Sequence, residues 1–267
     1  MKTIVVTGAS SGIGRAAVIR LAGAGYRVYG LARNYDKLKS ITAENYTPFE
    51  FDITKPDKFG QVVKSILDSS DGIYGLVNNA GYVEPGAIED LSMDNIRLQF
   101  ETNFFGLVGF TKAILPYMMQ RNEGRIINVS SIAGLISLPL VGAYCASKHA
   151  LEAVCDALCM ELWNTSIKVV NINPGVIDTN IHTITESKAD MIEKSRFAGA
   201  YRKYLQAPRG LPASVVADYI LQAMSDNPQP RYLIGSGREK LGTRLRPLLP
   251  DKMFYSQVSK RIHGQSN

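Results

Sequence analysis

The stretch Thr7-Gly-Ala-Ser-Ser-Gly-Ile-Gly14 most restricts how this chain can fold. Before it comes Lys2-Thr-Ile-Val-Val-Thr7, a short β-branched run that reads as a buried strand. After it, Arg15-Ala-Ala-Val-Ile-Arg-Leu-Ala carries apolar residues at helical spacing. Glycines let the backbone approach a bound group closely, and a helix N-terminus points free N–H groups and partial positive charge at the turn. Strand, glycine turn and helix together suit a pyrophosphate. The spacing is Gly-x-x-x-Gly-x-Gly, not the Gly-x-Gly-x-x-Gly of other dinucleotide folds.

The rest of the chain repeats this alternation. Apolar runs at 3–7, 27–32, 48–52, 74–78, 125–130, 167–172 and 231–234 read as strands. Helical patterns fall near 13–24, 36–42, 56–69, 94–120, 143–163 and 212–226. Such alternation implies right-handed βαβ crossovers: one doubly wound α/β domain over 1–267, with about seven parallel strands and helices on both faces. Residues 176–210 break the rhythm and read as a lid.

Composition excludes several classes. No apolar stretch reaches the length of a membrane span, and a strand beginning at residue 2 or 3 leaves no room for a signal peptide. Cys145, Cys155 and Cys159 have no framework spacing, so free thiols and a reducing, cytoplasmic setting are expected, with no metal site. The sequon at Asn128 lies inside a predicted strand and is no acceptor. The net charge of +6 is local: residues 1–230 hold 22 basic and 22 acidic residues, residues 231–267 eight and two. A neutral body argues against nucleic acid and gives the basic tail, 238–267, a local surface role.

Tyr144 and Lys148 stand four apart, on one face of a predicted helix. A lysine cation near a phenol is expected to lower the tyrosine pKa from about 10 towards neutrality, making a proton donor and acceptor. Ser131 precedes the tyrosine by thirteen residues.

These residues, with Asn78-Asn-Ala-Gly81, Asn103 and Pro174-Gly-Val-Ile-Asp-Thr179, occur in the order and spacing of a known family. The chain resembles the classical short-chain dehydrogenases/reductases, closely over 3–180, and within them the NADP-preferring hydroxysteroid and retinol dehydrogenase-like branch. The resemblance implies a Rossmann-type fold and hydride transfer with Tyr144 as general acid/base, Ser131 on the substrate oxygen, and Lys148 on the tyrosine and nicotinamide ribose. It implies that Asn103 bends its helix and holds a water leading from the lysine. It gives the cofactor to Gly8, Ser10, Ser11, Gly12, Ile13 and Gly14 at the turn, with Asn79, Ala80 and Gly81 beside it, and counts Tyr144 and Lys148 among its contacts. Asp52 would contact the adenine amino group; Pro174, Gly175, Ile177 and Thr179 would hold the nicotinamide end. Helices 94–120 and 143–163 would form the seam of a homodimer or homotetramer.

The cofactor choice turns on the second strand. An NAD enzyme ends it with an acid on the ribose hydroxyls. Here Ala32 takes that place and Arg33 follows, able to pair with a 2′-phosphate. Asp36 reads as the N-cap of the next helix, and Arg15 is either a further charge or solvated surface. NADP(H) is therefore expected over NAD(H), and reduction over oxidation.

Lid residues Met191, Ala198 and Leu205, seven apart with Tyr201 between them, read as one helix face. With Ile181, Ile184, Ile192 and Phe197 they predict a hydrophobic carbonyl or alcohol substrate. The tail mixes bases with Leu241, Leu245, Leu248, Leu249, Met253 and Phe254. It reads as a cover on the domain or the substrate entrance, with peripheral contact to an anionic membrane as the alternative. A non-catalytic NADP-binding sensor is the rival function; the presence of Ser131, Tyr144 and Lys148 argues against it.

Overall fold

The computed structural model describes residues 1–178, 189–206 and 210–263. Seven parallel strands form one sheet in the order β3-β2-β1-β4-β5-β6-β7. They are β1 (Thr3–Thr7), β2 (Arg27–Ala32), β3 (Tyr46–Glu50), β4 (Gly75–Asn78), β5 (Gly124–Val129), β6 (Ile167–Pro174) and β7 (Arg231–Ile234). The order reverses at β1, where Val5 lies level with Tyr29 of β2 on one side and Leu76 of β4 on the other. In such sheets the carboxyl ends of the strands at the reversal open a crevice for ligands.

Side-chain alternation along β1 sorts the two cores. Ile4 and Val6 face α1 (Gly12–Gly23) and the helix Ala213–Ala223, while Val5 faces the opposite layer. That second layer holds α3 (Phe59–Asp68), α5 (Gly106–Arg121) and α6 (Gly142–Glu161). Phe51, Phe59 and Phe110 pack there with ring centroids 4.8 to 5.6 Å apart. Each fully buried ring contributes about 1.5–3 kcal/mol of hydrophobic stabilisation.

Two sequence boundaries moved. The third strand runs 46–50, so Asp52 lies two residues beyond its end. α2 (Tyr35–Lys39) is capped by Asn34, whose Oδ1 accepts the Lys37 N–H at 2.9 Å. Asp36 is not the cap; it sits in the first turn, exposed, 3.4 Å from Lys39. Asparagine and aspartate cap equally well, and the helix starts two residues earlier than a cap at Asp36 implied.

The long helical pattern after Ser92 is three pieces: α4 (Met93–Phe100), a π turn over Glu101–Phe105, and α5. The wide turn is centred on Asn103. The lid pattern also divides. Met191 belongs to a helix over Ala189–Lys194, and Ala198 and Leu205 to another over Ala198–Leu205, so the three do not share one helix face. The break falls at Ser195, whose hydroxyl accepts the Phe197 N–H at 3.0 Å and bonds Asp90 at 2.7 Å.

Candidate active site

The glycine turn has the form its sequence implies. Gly8 and Gly12 take positive φ of 66° and 51°. A Cβ on Gly14 would collide with the Gly8 carbonyl and the Asn79 amide. Ser11 is the N-cap of α1, yet its side chain caps nothing, so the first N–H groups of the helix face the turn without a side-chain acceptor. Thr7 at the end of β1 ties the turn to β4: its hydroxyl accepts the Asn79 and Ala80 N–H groups, both at 3.0 Å, and donates to the Val77 carbonyl at 3.3 Å. The Asn79 amide donates to the Thr7 and Gly8 carbonyls at 3.0 and 3.2 Å. The Asn78 amide crosses the other way, to Asn128 at 2.9 Å and Thr111 at 2.8 Å. The asparagine pair thus ties β4 to both neighbouring strand ends. A glycine-lined cradle with an open helix N-terminus fits a dinucleotide pyrophosphate.

Arg33 is exposed beyond Ala32, at the rim of a cavity of about 420 Å³ that Asp52, Lys55 and Lys58 also line. Burial pushes the Asp52 carboxyl up, but hydrogen bonds from the Thr54 backbone and hydroxyl, with the charges of Arg33 and Lys55, bring it below its ordinary value. Asp52 Oδ1 takes both Thr54 bonds, at 2.9 and 2.8 Å, which is a turn closed by its own side chain. Arg15 is held by the Ser40 hydroxyl at 3.1 Å.

Ser131 lies two residues beyond the end of β5, after Asn128-Val-Ser130. Its hydroxyl accepts the Ala133 N–H at 3.1 Å and donates to the Pro174 carbonyl at 3.3 Å. Tyr144 lies in the first turn of α6, with Lys148 one turn on. The Lys148 Nζ is 5.9 Å from the Tyr144 ring centroid and donates to the Val129 carbonyl at 2.8 Å. Asn103 is fully buried: its carbonyl accepts the Tyr82 N–H at 3.0 Å, and its amide donates to the Tyr82 carbonyl at 2.9 Å and the Ser147 hydroxyl at 3.2 Å. Gly81 lies against both Asn103 and Lys148; a Cβ there would be 3.1 Å from Asn103 Oδ1 and 3.7 Å from Lys148 Nζ. The four catalytic candidates therefore meet at the carboxyl ends of β4 and β5.

The electrostatics differ from the sequence expectation. Burial pushes the Tyr144 phenol up to about 12, against its hydrogen bond with the Ser131 side chain, which lowers it. The lysine itself is lowered to about 8 by burial, against the opposing charge of Glu152. In the protein alone the phenol is thus raised rather than lowered, because burial dominates, and the ammonium donates to the Val129 carbonyl.

Several residues escaped the sequence reading. Glu152 is buried one turn after Lys148, accepting the Asn171 amide at 2.9 Å and the Asn173 amide at 2.6 Å. Asn173 also donates to the Ser131 carbonyl at 3.0 Å, so Glu152 braces the serine through β6. Arg231 of β7 closes the network, 2.8 Å from both Glu152 and Asp156. The spacing of Lys148 and Glu152 carried a signal; nothing marked Arg231. Tyr204 packs beside Tyr144 and Cys145, also unmarked by sequence.

Beyond Pro174, Ile177 forms a parallel bridge with Leu211. Gly175 packs against Glu239, which accepts the Val176 N–H at 2.9 Å. Thr179, Ile181 and Ile184 lie outside the described residues. Tyr201 ties the helix Ala198–Leu205 to the loop after β4: its hydroxyl accepts the Ala87 N–H at 2.6 Å and donates to Asp90 at 2.8 Å. A cavity of about 720 Å³ lies between Leu138–Leu140, Ala87 and Ile88 on one side and Phe197, Phe254 and Val258 on the other. The tail helix Asp251–His263 thus forms one of its walls.

Residues 2–190 match the short chain dehydrogenase family. The chain belongs to that family. This short-chain dehydrogenase is 33% identical over 271 residues to a probable short-chain type dehydrogenase/reductase of Helicobacter pylori, covering 98% of each chain. It is 33% identical to the 3-ketodihydrosphingosine reductase of Bacteroides thetaiotaomicron, covering 97% of this chain and 96% of that one. A crystal structure of a short-chain dehydrogenase from Streptomyces avermitilis superposes with a TM-score of 0.80 at 30% identity over 97% of each chain. The actinorhodin polyketide ketoreductase with NADPH, as a point variant, gives 0.76 at 27% identity over 87% of this chain and 94% of that one.

Proposed function

We propose that this short-chain dehydrogenase interconverts a ketone or aldehyde with an alcohol on a hydrophobic substrate, using NADP(H), with Tyr144 as general acid/base. The observation that carries the reading is the meeting of Tyr144, Ser131 and Lys148 beside the glycine cradle, at the reversal of the sheet. NADP(H), when bound, supplies or accepts the hydride. The cradle at Gly8–Gly14 and Asn79–Gly81 would hold its pyrophosphate and adjoining groups, and Arg33 its 2′-phosphate.

Tyr144 keeps its proton at neutral pH, since its pKa lies near 12. It is therefore set to donate to a substrate oxygen as negative charge develops there. Ser131 would donate a second hydrogen bond to that oxygen and fix its position. Lys148 carries its charge below about pH 8 and would stabilise the tyrosinate left behind. Asn103 holds the Tyr82 backbone and Ser147, and with them the floor beside Lys148. In oxidation the same groups take the proton back.

The actinorhodin relative with NADPH supports the cofactor reading, together with the absence of an acid at Ala32. The 3-ketodihydrosphingosine reductase supports a ketone as substrate. The cavity between Leu138–Leu140 and Phe254 supports an apolar one. The same reading makes α4 to α6 the seam of a homodimer or homotetramer, where Leu98, Phe105 and Met160 are exposed. A panel of apolar ketones and aldehydes, followed by loss of NADPH absorbance and repeated with NADH, tests it. Turnover with NADPH well above NADH is expected; no turnover with any carbonyl would count against it.

A further inference from the structure

The outer face of the C-terminal segment is both apolar and cationic. The helix Gly237–Leu245 buries Thr243 and uses Glu239 as its own cap. Leu241 and Leu245, four apart, fall on the opposite side and are 58% and 40% exposed. Arg238 borders that leucine pair on one side and Arg244 on the other. Leu248 and Met253 continue the apolar surface, 78% and 48% exposed. Scattered exposed leucines are ordinary; a run of this kind inside one short segment is not.

The charges sort in the same way. Both acids of the segment are already used: Glu239 by the Ser236 and Val176 N–H groups, Asp251 by Arg246 at 2.5 Å. Arg246 also stacks on Phe254, 4.6 Å from the ring centroid. Arg238, Lys240, Arg244, Lys252 and Lys260 have no side-chain partner among the described residues. The face therefore presents uncompensated positive charge around exposed leucines.

We infer that residues 237–255 dock this protein on an anionic lipid bilayer, with Leu241, Leu245 and Leu248 entering the interface and the basic residues meeting the headgroups. Charge complementarity selects that occupant. A symmetric pair of copies would set unpaired cations against themselves across the two-fold axis. A nucleic acid would pair with the bases but leave the leucines in water. A bilayer with acidic headgroups satisfies both sets. No helix among the described residues is long and apolar enough to cross a membrane, so the contact is peripheral. The helix that follows walls the 720 Å³ cavity with Phe254 and Val258, which places an apolar cavity next to the docked face.

The test is cosedimentation of the full chain with vesicles of phosphatidylcholine alone and of phosphatidylcholine mixed with phosphatidylserine. Binding to the mixed vesicles only, released by high salt, is expected. Arg238→Glu with Arg244→Glu should weaken it by more than tenfold, at about fivefold per basic residue lost. Leu241→Asp with Leu248→Asp should abolish it. Both pairs lie on the surface, and an unchanged circular dichroism spectrum with unchanged NADPH affinity verifies that they fold. No binding to the mixed vesicles overturns the inference, as does equal binding to both kinds. If instead the leucine variant turns a dimer into a monomer, or a duplex oligonucleotide binds regardless of the leucines, the face has another partner and the inference fails.

Discussion

The floor of the site and its roof are built on different principles. The floor is a polar network on rigid strands: Arg231, Glu152, Asn173 and the Ser131 backbone are linked by bonds of 2.6 to 3.0 Å. The roof is short helices resting on apolar contacts, with Tyr201 as its principal polar anchor to the loop at Ala87 and Asp90. A network fixes donor positions to fractions of an ångström, as proton transfer demands. Apolar packing tolerates change of shape, which suits recognition of a substrate. Floor substitutions should therefore strike turnover or cofactor affinity, and roof substitutions the Michaelis constant.

The largest break in this contrast comes from Lys148. Lys148→Met should cut turnover by about 10²–10⁴-fold and weaken NADPH as well; an unchanged NADPH dissociation constant would remove its proposed ribose contact. Its stability effect carries a separate signature. In the folded protein Lys148 titrates near 8 and in the unfolded chain near 10.5. Between these values only the unfolded chain holds the proton, so wild-type stability rises with pH relative to Lys148→Met. Above pH 10 the unfolded Tyr144 loses a proton that the folded one keeps until about 12, and stability falls again. Thermal melts of both proteins from pH 7 to 10 read this directly; a constant gap in Tm would deny that the lysine is perturbed by burial.

Arg33→Ala comes next and sharpens the floor into two parts. It should weaken NADPH by about 1.5–3 kcal/mol and leave NADH nearly alone, because only a charge-assisted contact to the 2′-phosphate is lost. Equal losses for both cofactors would show that Arg33 reads something else.

Glu152→Gln should cost on the order of 2 kcal/mol of stability, since Arg231 loses a charged partner but keeps Asp156. It should also lower the Lys148 pKa further, as the carboxylate charge that raises it is gone. Turnover should then decline from a lower pH than in the wild type. An unshifted pH profile would restrict Glu152 to bracing. Tyr201→Phe has the smallest expected effect, about 1 kcal/mol: a raised Michaelis constant for bulky carbonyls at unchanged NADPH affinity. A changed turnover number with an unchanged Michaelis constant would place the roof anchor in the chemistry and undo the contrast.

The same division governs what was legible in the sequence. The strands were readable because parallel strands buried on both faces are unbroken apolar runs, and β1, β2 and β7 fall where such runs do. The glycine turn and the tyrosine–lysine pair were readable because local geometry dictates residue type at fixed spacing. The Glu152 network was not, since it joins α6, β6 and β7, and no local pattern records which distant strand an acid will meet. The pKa of Tyr144 was misjudged for a related reason: spacing brings lysine and phenol onto one face, but burial is a tertiary property. In the roof, Ser195 bends the chain by bonding to its own backbone and to Asp90, and so divides a heptad-like apolar pattern that reads as one helix.

The central claim is that Tyr144 moves the proton and contributes little to cofactor affinity. Tyr144→Phe, with NADPH affinity measured by fluorescence titration beside turnover of a reducible ketone, tests it most directly. The account predicts a loss of turnover of at least about 10²-fold with an NADPH dissociation constant within about twofold of wild type. Turnover near the wild-type level with full NADPH binding would contradict it.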